Sequence, residues 1–200
     1  MTQKKSSQGG FTIIETMIAM AIMGIGIMTL IAAFAAAVTS TQNAQENLIA
    51  RQKTLEAIES VYTARNTQQI SFSQIANTTS GGIFLPGFNQ LLCTGTNGLY
   101  GTAGFNGLTG DQPCAAAAPC PAGPQCLVLP GPDGILGTPD DTAMSLANFS
   151  RQIQIGTVLE ADGVTINPNL KQITVTVNYY AAGATVAHSY VVTALISSFR

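Results

Sequence analysis

The apolar positions of this 200-residue chain fall into three regimes. From Thr16 to Val38 runs a 23-residue stretch without a charge. As a helix rising about 1.5 Å per residue it spans about 35 Å, enough for a hydrocarbon core of about 30 Å. From Thr41 to Arg65 there is neither Gly nor Pro, and Ala44, Leu48, Leu55, Ile58 and Tyr62 recur at spacings of three, four and seven. That spacing predicts an amphipathic helix whose apolar stripe packs on a domain of the same chain. Lys53 and Glu56 sit one turn apart on it. One helix over about Thr12 to Ala64 therefore has a first half apolar all round and a second half apolar on one face. The last third alternates with period two. "KQITVTVNYY" (171–180) puts Ile173, Val175, Val177 and Tyr179 on one face, and "SRQIQIGTVLE" (150–160) aligns Ile153 with Ile155. "VAHSYVVTALISSF" (186–199) is a less regular third strand, joined to the second through "AAGA" (181–184) as a hairpin connection. The expected fold is α+β: a long N-terminal helix, transmembrane then amphipathic, packed on a small antiparallel sheet, with the outline of a lollipop.

Composition sharpens this picture. Charged residues are 9% of the chain, against about 25% in a typical soluble domain, and the formal net charge is -2. No basic cluster and no aromatic–basic interleaving points to nucleic acid. Residues 66–126 are rich in Gly, Asn, Thr, Ser and Pro and read as loop. They hold all four cysteines: Cys93, Cys114, Cys120 and Cys126. The five-residue spacers of "CAAAAPCPAGPQC", without histidine, do not suit a zinc knuckle. An even count behind an apolar segment fits two disulfides in an oxidising compartment, in any of three connectivities.

The N-terminus carries a sharper pattern. "QGGFTIIETMIAM" (8–20) sets a double glycine before Phe11 and a lone carboxylate, Glu15, at the mouth of the apolar run. A secretory signal peptide would find small residues at "AAFAAAV" (32–38), but its apolar region would be far longer than usual. A plain anchor explains the length and leaves Glu15 unexplained. Lys4 and Lys5 precede the run, so the positive-inside rule places the N-terminus in the cytoplasm. "GGFTIIE" resembles the cleavage and methylation motif of type IV prepilins and of the pseudopilins of type II secretion. The likeness is specific over about residues 1–60 and only architectural beyond.

That resemblance implies three parts: a leader peptide over 1–10, an N-terminal helix over 11–65, and a periplasmic or extracellular globular domain over 66–200. It implies cleavage after Gly10 by a prepilin peptidase and methylation of the new α-amine of Phe11. It implies that Glu15 neutralises the N-terminal ammonium of a neighbouring subunit, which gives a buried carboxylate the partner it needs. The partners are then other pilin subunits, the peptidase and the inner membrane, which holds the precursor until it joins a filament in the periplasm or at the cell surface. Gly24 and Gly26, in "MGIGIM", offer a small-residue packing face or a place for the helix to loosen. The pair resembles minor pilins of the pilus-modification (PilV-like) kind more than major pilins.

Catalytic patterns are missing from the sequence. His188, the one histidine, stands among strand residues, and neither a nucleophile elbow nor a phosphate loop occurs. The expectation is a non-enzymatic structural subunit, a minor pilin. The alternatives are a pseudopilin of type II secretion and a membrane-anchored periplasmic binding module. One further stretch, "PGPDGILGTPDDTA" (130–143), gathers Asp133, Asp140 and Asp141 with turn-forming glycines. Calcium takes six to eight oxygens from such loops, so Ca²⁺ is the expected metal, with carbonyls near Leu136 and Thr138 completing the shell. The same residues make two solvated turns when no metal binds.

Overall fold

The alternation read in residues 171–180 is the last two-thirds of an inner strand of a four-stranded antiparallel sheet. A computed structural model of the chain describes residues 10, 12–104, 107–180 and 186–199. The elements are α1 (Ile13–Asn66), a 3-10 turn at Thr78–Ser80, β1 (Asn89–Gln90), β2 (Cys126–Leu129), β3 (Thr142–Ser145), β4 (Phe149–Leu159), β5 (Ile166–Tyr180) and β6 (Ala187–Ser197). The main sheet has the order β1-β4-β5-β6, while β2 and β3 form a separate two-stranded ribbon. The expected α+β layout, one long helix packed on a small antiparallel sheet, is what the structure has. The proposed "AAGA" connection lies outside the described residues.

Register follows from burial. Val175 faces Ile153 on one side and Val192 on the other, and Ile173 faces Ile155 and Ala194. A slip of one residue would turn Ile173, Val175, Val177 and Tyr179, all buried, out to solvent. β5 starts five residues earlier than the alternation predicts. Its pairing with β4 shifts between Thr157 and Leu159, which leaves residues 167–170 without β4 partners. Pro168 sits in that irregularity, where its missing N–H costs no ladder bond. The outer edge of β4 is closed by a side chain: Asn77 donates to the Ile155 carbonyl at 3.0 Å and accepts from the Ile155 N–H at 3.1 Å.

The helix corrects one expectation. Of the predicted stripe of Ala44, Leu48, Leu55, Ile58 and Tyr62, only Ile58 and Tyr62 lie on the face that packs. Ala44, Leu48 and Leu55 are exposed, and Tyr62 is half-buried. The covered face is Glu46, Ile49, Ala50, Thr54, Ala57, Ile58, Val61 and Ala64. Small side chains win because a flat sheet approaches a helix most closely over Ala and Thr, and close approach is what gives dense packing. Ile49, Ile58 and Val61 pack between these small residues, while the larger Leu48 and Leu55 stay outside. Two apolar clusters result. One joins Ala57, Ile58, Val61 and Ala64 to Phe84, Leu99, Ile173 and Val175. The other joins Ile49 and Ala50 to Leu91, Leu146, Phe149 and Tyr179.

By its contacts the chain divides into two units, Met1–Ala44 and Gln45–Arg200. In the first, α1 is exposed along its whole length from Ile13 to Ala44. α1 is long and apolar enough to cross a membrane. In the second, the cysteines pair as Cys93–Cys114 and Cys120–Cys126, and no cysteine is free among the described residues. Of the three connectivities the sequence allowed, this one joins sequential partners. It pins the irregular segment to the start of β2.

Candidate functional site: the helix mouth and the acidic turn

Gly10 is exposed and lies outside any regular element. Phe11 lies outside the described residues. Thr12 precedes the first helical residue, and the Glu15 N–H donates to its carbonyl at 3.1 Å and to its hydroxyl at 3.4 Å. Thr12-Ile13-Ile14-Glu15 is thus an N-cap residue with Glu three places on, the pattern of a capping box. Sequence reasoning passed over this signal, although it stands in the quoted motif. It gives Glu15 a local role, as a carboxylate in the first turn where the helix dipole favours negative charge. The role is incomplete, because Glu15 is exposed and the one ion pair among the described residues is Lys53–Glu56, at 2.8 Å.

Gly24 and Gly26 lie within continuous helix, and a Cβ at either would meet nothing within 4 Å. Neither glycine is required by packing inside the chain. Each still lowers helix stability by about 1 kcal/mol relative to Ala.

The acidic stretch connects β2 to β3, a ribbon that the sequence reading missed because its strands are only four residues long. Each carboxylate serves its own turn. Asp133 accepts from the Ile135 N–H at 2.8 Å, and Asp141 accepts from the Gly137 N–H at 2.7 Å. The Thr138 hydroxyl lies 2.7 Å from Asp140, and this hydrogen bond holds the Asp140 carboxyl below its ordinary range. Asp141 Oδ1 is buried and receives no donor. Among the described residues no three His, Cys, Asp or Glu side chains gather into a group that could hold a metal. As placed, the three carboxylates bond within their own turns and do not converge on one point.

A second group of charges was invisible in sequence because its members are far apart along the chain. Arg151, 3% exposed, lies with its guanidinium 4.4 Å over the Tyr100 ring and donates to the Lys53 carbonyl at 3.4 Å. Burial pulls the Arg151 pKa down, and the nearby Asp111 and Glu56 carboxylates oppose that. Both oxygens of Asp111 accept from the Gly101 N–H, at 3.0 and 2.9 Å. Its carboxyl is nonetheless raised, because burial outweighs those bonds and the charge of Arg151. Gly101 has φ 69°, and a Cβ there would come within 2.8 Å of Ile153, so only glycine brings this N–H to Asp111. Burial works against ionisation of Glu56, but hydrogen bonds from Lys53 and Tyr100 outweigh it and lower its pKa. The group bridges α1, the irregular segment and β4, and its charges are matched internally. His188 is exposed and stacks on Tyr179 at 5.5 Å.

Residues 5–38 match the family model described as the prokaryotic N-terminal methylation motif. The match covers Gly10, Phe11, Glu15 and the uncharged run together. It supports a type IV pilin-like or pseudopilin precursor, processed and assembled as such precursors are in general. No curated protein and no solved structure matches the chain.

Proposed function

We propose that the chain is a non-catalytic structural subunit of a type IV pilus, a minor pilin of the pilus-modification kind. A prepilin peptidase cuts after Gly10 on the cytoplasmic face, Phe11 becomes the methylated N-terminus, and α1 then moves from the inner membrane into the filament core. The observation that carries this reading is the first unit of α1. It is an uncharged helical run, exposed all round, with a lone carboxylate in its first turn that has no ion-pair partner among the described residues. Lipid satisfies the apolar run but not Glu15. Packing against other copies satisfies both, because the α-amine of an adjacent Phe11 supplies the counter-charge that a buried carboxylate requires. Leu48 and Leu55, 63% and 42% exposed and seven residues apart, extend the same demand for contact into the second unit.

Mass spectrometry of the mature N-terminus tests the reading. A chain beginning with methylated Phe11 is the expected result. A start near Val38 would indicate secretion, and an intact Met1 a plain anchor. Either outcome would overturn the assignment.

A further inference from the structure

Two patterns that stand out in the sequence are left unused by the fold. One is the stretch of α1 from Leu48 to Leu55. Both leucines point away from the sheet and are exposed. Seven residues apart on a helix, they lie about 10 Å apart along one face. Between them runs a shallow groove of about 390 Å³, lined by Leu48, Arg51, Gln52 and Leu55. Arg51 is exposed, and the one ion pair among the described residues, Lys53–Glu56, does not include it. Its guanidinium brings a charge and five N–H donors to the groove. Glu59 lies one turn beyond Leu55, outside the groove.

The other is the acidic loop between β2 and β3. At its tip Ile135 and Leu136 are 60% and 62% exposed. Asp133 holds the Ile135 N–H at 2.8 Å, and Asp141 holds the Gly137 N–H at 2.7 Å, so a turn on each side fixes the apolar pair. Apolar side chains held in the open are organised for contact in advance, which removes part of the ordering cost of association. Asp133, Asp140 and Asp141 frame them with negative charge, and none of the three forms an ion pair among the described residues.

The two surfaces answer each other. The groove offers two leucines around a cation, and the loop offers an isoleucine and a leucine among carboxylates. Both are exposed on the same chain, so they do not meet within one copy, whereas a second copy supplies each with its complement. We infer that the groove between Leu48 and Leu55 is a docking surface for the acidic β2–β3 loop of a second copy of this chain, with Ile135 and Leu136 against the leucines and Arg51 facing the carboxylates. The inference does not rest on the filament role, since both surfaces belong to the second unit.

The test uses full-length chains in detergent micelles and a bismaleimide cross-linker. No native cysteine is free, so the linker reacts only with introduced thiols. Leu55→Cys and Leu136→Cys, on differently tagged copies, should cross-link when mixed. Leu55→Cys mixed with Val164→Cys, exposed on the turn between β4 and β5, sets the background. Arg51→Glu in the Leu55→Cys copy should lower the yield about fivefold, the scale of one exposed ion pair, and Arg51→Lys should retain it. The exchanged side chains are all exposed, so circular dichroism and both disulfides should be unchanged. A mixed yield no higher than background would overturn the proposal. So would a higher yield from Leu55→Cys copies alone, which would pair groove with groove, or a yield indifferent to Arg51→Glu.

Discussion

The guanidinium of Arg151 lies over the ring of Tyr100, 4.4 Å from its centroid, where the two apolar clusters of the core meet. Phe149 belongs to one cluster and Ile153 to the other, and Arg151 stands between them on β4. A buried cation at such a junction costs stability unless its neighbours answer it, and the face of an aromatic ring is one answer.

Tyr100 makes this arrangement measurable. Burial, followed by its hydrogen bond to Glu56, pushes its phenol up to about 12. The folded state thus holds the phenolic proton more tightly than the unfolded state, whose value is about 10. A group raised on folding contributes stability below its unfolded pKa and loses that contribution as pH rises through the folded one. Thermal midpoints measured from pH 9 to 12 should fall through this window, and Tyr100→Phe should flatten the fall. A fall of the same size in Tyr100→Phe would show that other groups cause it.

The disulfides should contribute unequally. Cys93–Cys114 spans 21 residues and Cys120–Cys126 spans six. Loop-closure entropy makes the longer one worth about 3 kcal/mol and the shorter about 2 kcal/mol. Denaturant melts of Cys93→Ser/Cys114→Ser and Cys120→Ser/Cys126→Ser should rank in that order. Non-reducing peptide maps should recover the two pairings and no crossed pair.

Much of this fold could be read from periodicity because periodicity reports burial. Ile173, Val175, Val177 and Tyr179 alternate in sequence because they alternate across a sheet with one covered face. The apolar run and Glu15 were legible because the bilayer imposes a length and penalises a charge. Three things were not. The packed face of α1 sets Ala50, Thr54, Ala57 and Ala64 among Ile49, Ile58 and Val61, and the weak hydrophobicity of the small residues hides the face. The Arg151 group draws Lys53, Glu56, Tyr100 and Asp111 from across the chain, and pairing at that separation leaves no local pattern. Asp133, Asp140 and Asp141 are close in sequence, but closeness in a turn-rich loop does not aim carboxylates at one point.

The acidic turn therefore sets a clear expectation for calcium. The three carboxylates do not converge, so a calcium site here requires the loop to rearrange. A cation binding only the folded chain would add about 2.7 kcal/mol at a hundredfold excess over Kd. Melting curves of the full chain in calcium and in chelator should coincide. A higher midpoint in calcium, lost in Asp140→Ala and kept in Asp111→Asn, would show instead that the loop rearranges around the ion.

The proposed function gives Glu15 a second role beside the helix cap, and two substitutions separate them. As the third residue of the helix behind Thr12, it holds the position of a capping box that Gln fills as well as Glu. As the counter-charge to a neighbouring α-ammonium, only a carboxylate serves. Glu15→Ala removes both functions, while Glu15→Gln keeps the cap and removes the charge. Both variants should be processed and should enter the membrane, since neither change makes the apolar run less apolar. In sheared filaments both should be strongly depleted. Removing one member of a buried pair costs about 3–5 kcal/mol, roughly a hundredfold or more in an equilibrium constant. Quantitative immunoblots of membrane and filament fractions measure this directly. Depletion of Glu15→Ala alone, with Glu15→Gln incorporated normally, would reduce Glu15 to a helix cap and leave the ammonium to some other partner.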